Sequence, residues 1–234
     1  MSKNHGDLIV TSDTSNSKTS TRLEISQEIE NKLPKIASSG KIVVLNGFPG
    51  SGKLTILKEV KALLPVDRTC LLDNHLLIDP VVALIPERSD EHYELRRMVR
   101  APIFKKLREH AQKGWTIFMT ACLAEDNERD REFLEEHFDI VRGNRIPIFW
   151  INTQCDQRAL EQRVESPERC QGGKTKLIDR NILRDLLHRH RLIDPRKSAD
   201  ETAVLVSNTL DVSGTVEQSV SRLISMINFQ FHSV

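Results

Sequence analysis

The sequence predicts an α/β fold: a parallel five-stranded sheet with helices on both faces and a lid segment. Three observations carry that prediction. Short apolar runs alternate along the chain with stretches whose apolar residues have helical spacing, the order that builds a parallel sheet covered on both sides. The first such run, Ile42 to Leu45, is apolar throughout, as a strand buried on both faces must be. Between it and the helical run Leu54 to Leu64 stands the glycine-rich stretch Gly47-Phe48-Pro49-Gly50-Ser51-Gly52-Lys53-Leu54-Thr55.

The other elements follow in order. Residues 1–39, rich in Ser, Thr and Asn at the start, read as a flexible tail with a short helix near Leu23 to Ile36, and residues 40–234 as the main domain. The helix after the glycine-rich turn carries Leu57, Val60 and Leu64 on one face and ends before Pro65. Thr69 to Leu72 is a second strand. Asp79-Pro80 reads as a cap and first-turn proline of a short helix to Ile85. A long helix is expected from Ser89 to Lys113, kinked at Pro102 and stopped by Gly114. Trp115 to Ala121, Ile146 to Ile151 and Thr202 to Ser207 complete the strands. Glu125 to Phe138 is so charged that it reads as a solvated outer helix. Further helices are expected from Gln157 to Val164, Asp179 to His190 and Val216 to Ile227.

Composition narrows the function classes. Hydrophobic residues make up 38% and charged residues 29% of 234 positions, with a net charge of +1. That balance favours neither nucleic acid nor an anionic membrane as partner. No apolar run approaches the ~18 residues of a membrane span. The four cysteines, Cys70, Cys122, Cys155 and Cys170, are scattered without metal-ligand spacing. They suit a reducing, cytoplasmic setting, with Cys70 and Cys122 read as buried thiols. The tail has no signal-peptide core. Nothing in the sequence sets the oligomeric state.

A strand, a glycine-rich turn and a helix in that order make a phosphate cradle: backbone N–H groups converge on an anion and a lysine adds a point charge. Gly47, Gly50 and Gly52 allow the positive φ angles and close approach that the turn needs, and Lys53 is placed to reach the β- and γ-phosphates of a nucleoside triphosphate. Leu54 stands where G-x-x-x-x-G-K-[ST] has its magnesium-binding hydroxyl, and Thr55 follows it. ATP or GTP with Mg2+ is the expected ligand, with Thr55 and Asp73 as metal-side groups. In a parallel sheet, ligands bind at the carboxyl ends of the strands, where the other candidates fall. Asp73, after the second strand, reads as a proton acceptor or magnesium-side carboxylate, or as a turn residue. Asn74 and His75 are candidate acceptor contacts. Arg96 and Arg100 lie one turn apart and can converge on one anion, or form a solvated basic face. Arg163 and Arg169 head a basic segment, about 163–178 with Gly172-Gly173, that reads as a lid closing over the phosphates. Asn208 and Thr209, after the fifth strand, read as residues that line the base of the nucleotide, or as ordinary loop residues. Thr120 occupies the third-strand position where such proteins usually carry a carboxylate, and the segment TIFMTACL has none.

The stretch GFPGSGKLT is similar to the adenylate-kinase form of the loop, G-x-P-G-x-G-K-G-T, with leucine at the second-last position. Through it the chain, over roughly residues 41–228, resembles the small P-loop kinases: adenylate kinase, shikimate kinase, chloramphenicol phosphotransferase and zeta-toxin-like kinases. LLDNHLLIDP together with GKLT also looks like a set of AAA-type ATP-binding proteins of microbes. The resemblance implies a P-loop NTPase fold, an Asp at the end of the second strand that prepares the acceptor (Asp73), and lid arginines after the fourth strand (Arg163, Arg169). The implied activity is γ-phosphoryl transfer to a small-molecule phosphate acceptor. The D-G-F-P-R signature of adenylate kinase is missing. Two other functions stay open: a nucleotide-binding regulatory ATPase without an acceptor, and a kinase of nucleic-acid ends, against which the balanced charge speaks.

Overall fold

Five parallel strands lie in the order β2-β3-β1-β4-β5 in the computed structural model, which describes residues 40–170 and 176–228. The strands are β1 (Lys41–Asn46), β2 (Thr69–Leu72), β3 (Thr116–Ala121), β4 (Pro147–Gln154) and β5 (Val204–Asp211). The helices are α1 (Lys53–Ala62), α2 (His75–Leu84), α3 (Asp90–Gln112), α4 (Glu128–Val141), α5 (Gln157–Val164), α6 (Pro167–Cys170), α7 (Arg180–Arg189) and α8 (Val216–Asn228). The expected tail and its helix lie outside the described residues, as do Gly172, Gly173 and Lys174 of the lid segment.

β1 is central, and all six of its residues are buried. Its alternation divides the core in two, because successive side chains of a strand point to opposite faces. Val43 and Leu45 join Leu57, Val60, Phe149, Leu223 and Ile227, the layer under α1 and α8. Ile42 and Val44 join Phe104, Leu107, Phe133, Leu134, Phe138 and Trp150, the layer under α3 and α4. A small third cluster, Leu160, Val164 and Leu183, holds α7 on α5, and Glu161 locks that pair by accepting from both Arg184 Nε (2.7 Å) and a terminal Arg184 nitrogen (2.8 Å).

Four expectations are corrected. α4 is not a solvated outer helix: its charges occupy one face while Phe133, Leu134, His137, Phe138, Ile140 and Val141 are buried on the other. α2 starts at His75, with Asn74 as its N-cap, and carries Pro80 inside it. Asp79 therefore sits mid-helix, and the apolar side chains Leu77 and Val81, both buried, hold the segment helical despite the missing N–H. β5 continues to Asp211, so Asn208 and Thr209 lie within the strand opposite Ile151 and Asn152. The polar Ser207-Asn208-Thr209 looks like a loop, yet β4 also runs on to Gln154 and supplies the ladder partners. Finally, Cys70 is half-buried and Cys122 is exposed.

His137 is a buried base in the aromatic cluster of Phe104, Phe133 and Trp150. It is 1% exposed, and its Nδ1 lies 2.7 Å from Phe133 O. Burial holds its pKa down at about 4, from 6.5, so the folded protein keeps it neutral at pH values where the unfolded chain protonates it. Stability is then full above pH 6.5 and falls as the pH drops toward 4, where the loss levels off. The total is about 3 kcal/mol. Urea unfolding of wild type and His137→Phe across this window checks it: the variant is expected to lose this part of the acid dependence. Equal slopes in the two proteins would refute the assignment.

Candidate functional site

The carboxyl edge of the sheet is built around the turn between β1 and α1. Gly50 and Gly52 have φ of 87° and 76°, a region that favours glycine. Gly47 is needed for a different reason: a Cβ there would lie 1.8 Å from Thr153 Oγ1. Gly47 N donates to Ala121 O at 3.1 Å, pinning the turn to the end of β3. Ser51 is 2% exposed, and its hydroxyl donates to Phe48 O at 2.8 Å across Pro49. No side chain caps the N-terminus of α1, so the free N–H groups and the positive end of the helix dipole face the cleft.

Lys53 Nζ folds over this turn and donates to Gly47 O (2.5 Å), Phe48 O (3.1 Å) and Ser51 Oγ (3.3 Å). Burial pushes its pKa down; nearby Cys122 and Asp73 pull it up and Arg169 pushes it further down. Leu54 is half-buried and Thr55 exposed.

Asp73 follows β2 and is 5% exposed. Thr120 Oγ1 donates to its Oδ1 at 2.8 Å and accepts from Asn74 N at 2.9 Å. The hydroxyl at the end of β3 therefore fixes the carboxylate from the next strand, a role the sequence reading did not give Thr120. Asn74 Oδ1 is buried and has no hydrogen-bond partner. His75 Nδ1 lies 3.3 Å from Asp79 Oδ1, one turn along α2.

The two arginines of α3 part company. Arg100 is bound by Glu136 of α4 through two hydrogen bonds (2.7 and 2.5 Å) and lies 4.0 Å over the Phe133 ring. Arg96 is 7% exposed and makes no ion pair among the described residues. Glu136, far away in sequence, thus engages Arg100 and leaves Arg96 in a different setting.

On the opposite side of the turn a cleft of about 340 Å3 is lined by Gly50, Gly52, Thr55, Arg163, Arg169 and Val216, with Lys176 among its cations. Arg163 grips the segment after β5, donating to Val212 O (2.9 Å), Ser213 O (3.4 Å) and Gly214 O (3.1 Å). Its guanidinium is thus engaged with backbone, whereas Arg169 donates to Leu177 O (2.8 Å) and stands close enough to Lys53 to lower its pKa. The residues after β5 that reach the cleft are Val212 and Gly214 to Val216, not Asn208 and Thr209. A second unforeseen feature is the amide ladder at the strand ends. Asn46 Nδ2 donates to Asn152 Oδ1 (3.0 Å), Leu123 N donates to Asn46 Oδ1 (2.7 Å), and Asn152 Nδ2 donates to Ile193 O (2.9 Å). It ties the turn after β3 to the edge; only the paired asparagines at equivalent strand positions signalled it.

Sheet order, phosphate-type turn and helix N-terminus together define an α/β protein of the P-loop nucleotide-binding class. The chain belongs to the AAA domain family, whose model matches residues 43–186. No curated protein matches it. Among solved structures it is similar in fold to three kinases. One is the shikimate kinase of Acinetobacter baumannii in complex with shikimate (17% identity, TM-score 0.51, covering 89% of this chain and 99% of that one). Another is a thymidylate kinase from Candida albicans (16%, TM-score 0.53, 82% and 92%). The third, from Chloroflexus aurantiacus, is described as a putative kinase (15%, TM-score 0.53, 81% and 99%). No helix among the described residues is long and apolar enough to cross a membrane.

Proposed function

We propose that the protein is an ATP-dependent phosphotransferase that moves the γ-phosphoryl group to a small-molecule acceptor. The observation that carries this reading is the pairing, on one sheet edge, of an uncapped phosphate cradle with the buried carboxylate of Asp73, held by Thr120. Nucleotide binding needs the first, and a carboxylate beside it supplies the base that transfer to a hydroxyl also needs. The loop amides and Lys53 hold the phosphates, and Arg169 and Lys176 bring positive charge to the same cleft, where charge spreads in the transition state. An acceptor hydroxyl attacks the γ-phosphorus. The new O–P bond forms as the bond to the bridging oxygen of the diphosphate breaks, and Asp73 takes the hydroxyl proton. Arg163 acts here by shaping the base side of the cleft through its three carbonyl contacts.

Magnesium fits the donor set only in one way. Among the described residues no group of three or more His, Cys, Asp or Glu could hold a metal ion, and Leu54 offers no oxygen. Magnesium commonly keeps several waters and binds through one or two carboxylates plus substrate phosphates. Asp73 would make such a water-mediated contact from the end of β2, with Thr55 lining the cleft. The ion would supply neutralisation of charge on the phosphates.

Incubating the full chain with γ-labelled ATP, magnesium and a panel of small hydroxyl compounds tests the reading. Label is expected on an acceptor, with release of ADP accelerated by that compound. ATP hydrolysis at a rate that no acceptor alters would instead support the regulatory ATPase, for which the missing carboxylate at the end of β3 is the favouring observation.

A further inference from the structure

The two edges of the sheet are unlike. β2, at one edge, is four residues long, and a very short edge strand is one way a protein keeps its sheet from pairing with another. β5, at the other, runs for eight residues, Val204–Asp211, in unbroken register against Pro147 to Gln154 of β4. It carries none of the usual guards: no proline, no bulge and no lysine. Its one charge, Asp211, stands at the last position and accepts from Ser213 N (2.9 Å) and Arg222 (3.4 Å). Among the described residues, no hydrogen bond besides those of the β4 ladder reaches Val204 to Leu210. Val204 and Thr209 are exposed and Leu205 to Asn208 half-buried, so a row of outward N–H and C=O groups is open to a further strand.

A second copy of this chain fits that edge. A two-fold axis normal to the sheet sets β5 antiparallel to β5 of the other copy, which satisfies both edges at once and closes the assembly at two chains. Pairing β5 with the β2 edge of another copy would match only four of its eight residues and leave an open row of copies. Opposed residues of an antiparallel pair point to the same face, so the axis passes at a residue. At Asn208 it sets Val206 against Leu210 of the second copy, on the face where both already belong to the layer under α1 and α8. On the other face it sets Ser207 against Thr209 of the second copy. The end of β5 that follows exposed Glu201 then meets the end beside Arg222 of the second copy, an arrangement of opposite charge that the axis makes twice. The area is sufficient as well. α8 packs on β5 from one side, and Ile193, Ala199 and Ala203 pack with Leu205 on the other. A strip ~27 Å long through three layers of ~10 Å covers ~800 Å2 on each copy, the size of a standard specific interface.

We propose that β5 is a dimer edge: two copies of the chain join β5 to β5 about a two-fold at Asn208, making one continuous sheet of their two five-stranded sheets. The carboxyl ends of the two halves point in opposite directions, so each phosphate cleft stays whole within its own chain. The inference stands apart from the phosphotransferase reading.

Sedimentation velocity of the full chain over a range of concentrations, together with hydrogen exchange of the β5 amides, tests the proposal. Wild type is expected to sediment at twice the mass of one chain, with the β5 amides protected. Asn208→Asp is nearly isosteric and sets two carboxylates face to face at the axis. Its dimer affinity is expected to fall about tenfold or more, with faster exchange of the β5 amides at dilutions where it has dissociated. Asn208→Ser, neutral at the same place, is expected to dimerise as wild type does. If Asn208→Asp does not fold, Thr209→Lys takes its place, putting a lysine on an exposed position of the same edge, and the same loss is expected. A wild type that stays monomeric at its highest soluble concentration overturns the proposal; β5 amides protected in that monomer would mean that the chain's own residues cover the edge. Assemblies that grow beyond two chains overturn it too. So does a dimer that Asn208→Asp and Thr209→Lys both leave as tight as wild type, which would place the interface elsewhere.

Discussion

Lys53→Ala is expected to bind ATP about ten- to hundredfold more weakly than wild type in a calorimetric titration with magnesium. The size follows from losing one charge-assisted contact, worth about 1.5–3 kcal/mol. Lys53 is the cation seated on the turn itself, between the carbonyls of Gly47 and Phe48, and the ammonium would exchange those neutral acceptors for phosphate oxygens. Lys53→Met is the companion variant: it keeps the stem and loses the ammonium with its hydrogen bonds to the turn. Agreement between the two variants assigns the effect to the ammonium and not to the stem. GTP titrated in parallel reports the base preference. If wild type binds neither nucleotide, the branched side chain of Leu54 has spoiled the cradle, and the phosphotransferase reading fails with it.

How much of this was legible in the sequence depended on how local the cause was. The cradle was legible because two of its glycines answer to their own backbone, which takes positive φ; the third, Gly47, is required by the Thr153 side chain from distant β4, and only the motif announced it. The sheet was legible because strands covered on both faces are apolar throughout. α4 misled because its net charge is high while the burial of Phe133, Leu134 and Phe138 depends on their phase, not their number. Arg96 and Arg100 look alike in sequence, one turn apart on α3. What separates them is Glu136 on another helix, and no local pattern announces a partner 36 residues away. The same is true of Thr120, which lacks the carboxylate expected at the end of β3 and holds one from β2 instead. The fold is shared with kinases at 15–17% identity, and at that identity the likeness is one of fold.

Asp73→Asn is expected to lower acceptor phosphorylation about 10²- to 10⁴-fold, the usual span for removing a general base, while ATP affinity changes little. The substitution is nearly isosteric, and the amide oxygen can still accept from Thr120 Oγ1 as Asp73 does at 2.8 Å. The side chain then stays in place and only its basicity is removed. That makes the split between turnover and binding informative. An equal fall in ATP affinity would mean that Asp73 acts mainly by holding magnesium on the nucleotide, and dependence on magnesium concentration would then shift along with it. Unchanged turnover would show that the hydroxyl proton leaves by another route, and that the carboxylate buried behind Thr120 braces the end of β2. Thr120→Val separates positioning from chemistry. It removes the donor to Asp73 and the acceptor for Asn74 N but leaves the carboxylate. A partial loss of turnover, with a pH profile moved toward higher values because the carboxylate has lost a stabilising hydrogen bond, is the outcome expected if Thr120 acts through Asp73. A loss without any shift in the profile would mean that Thr120 serves only to hold the strand end together.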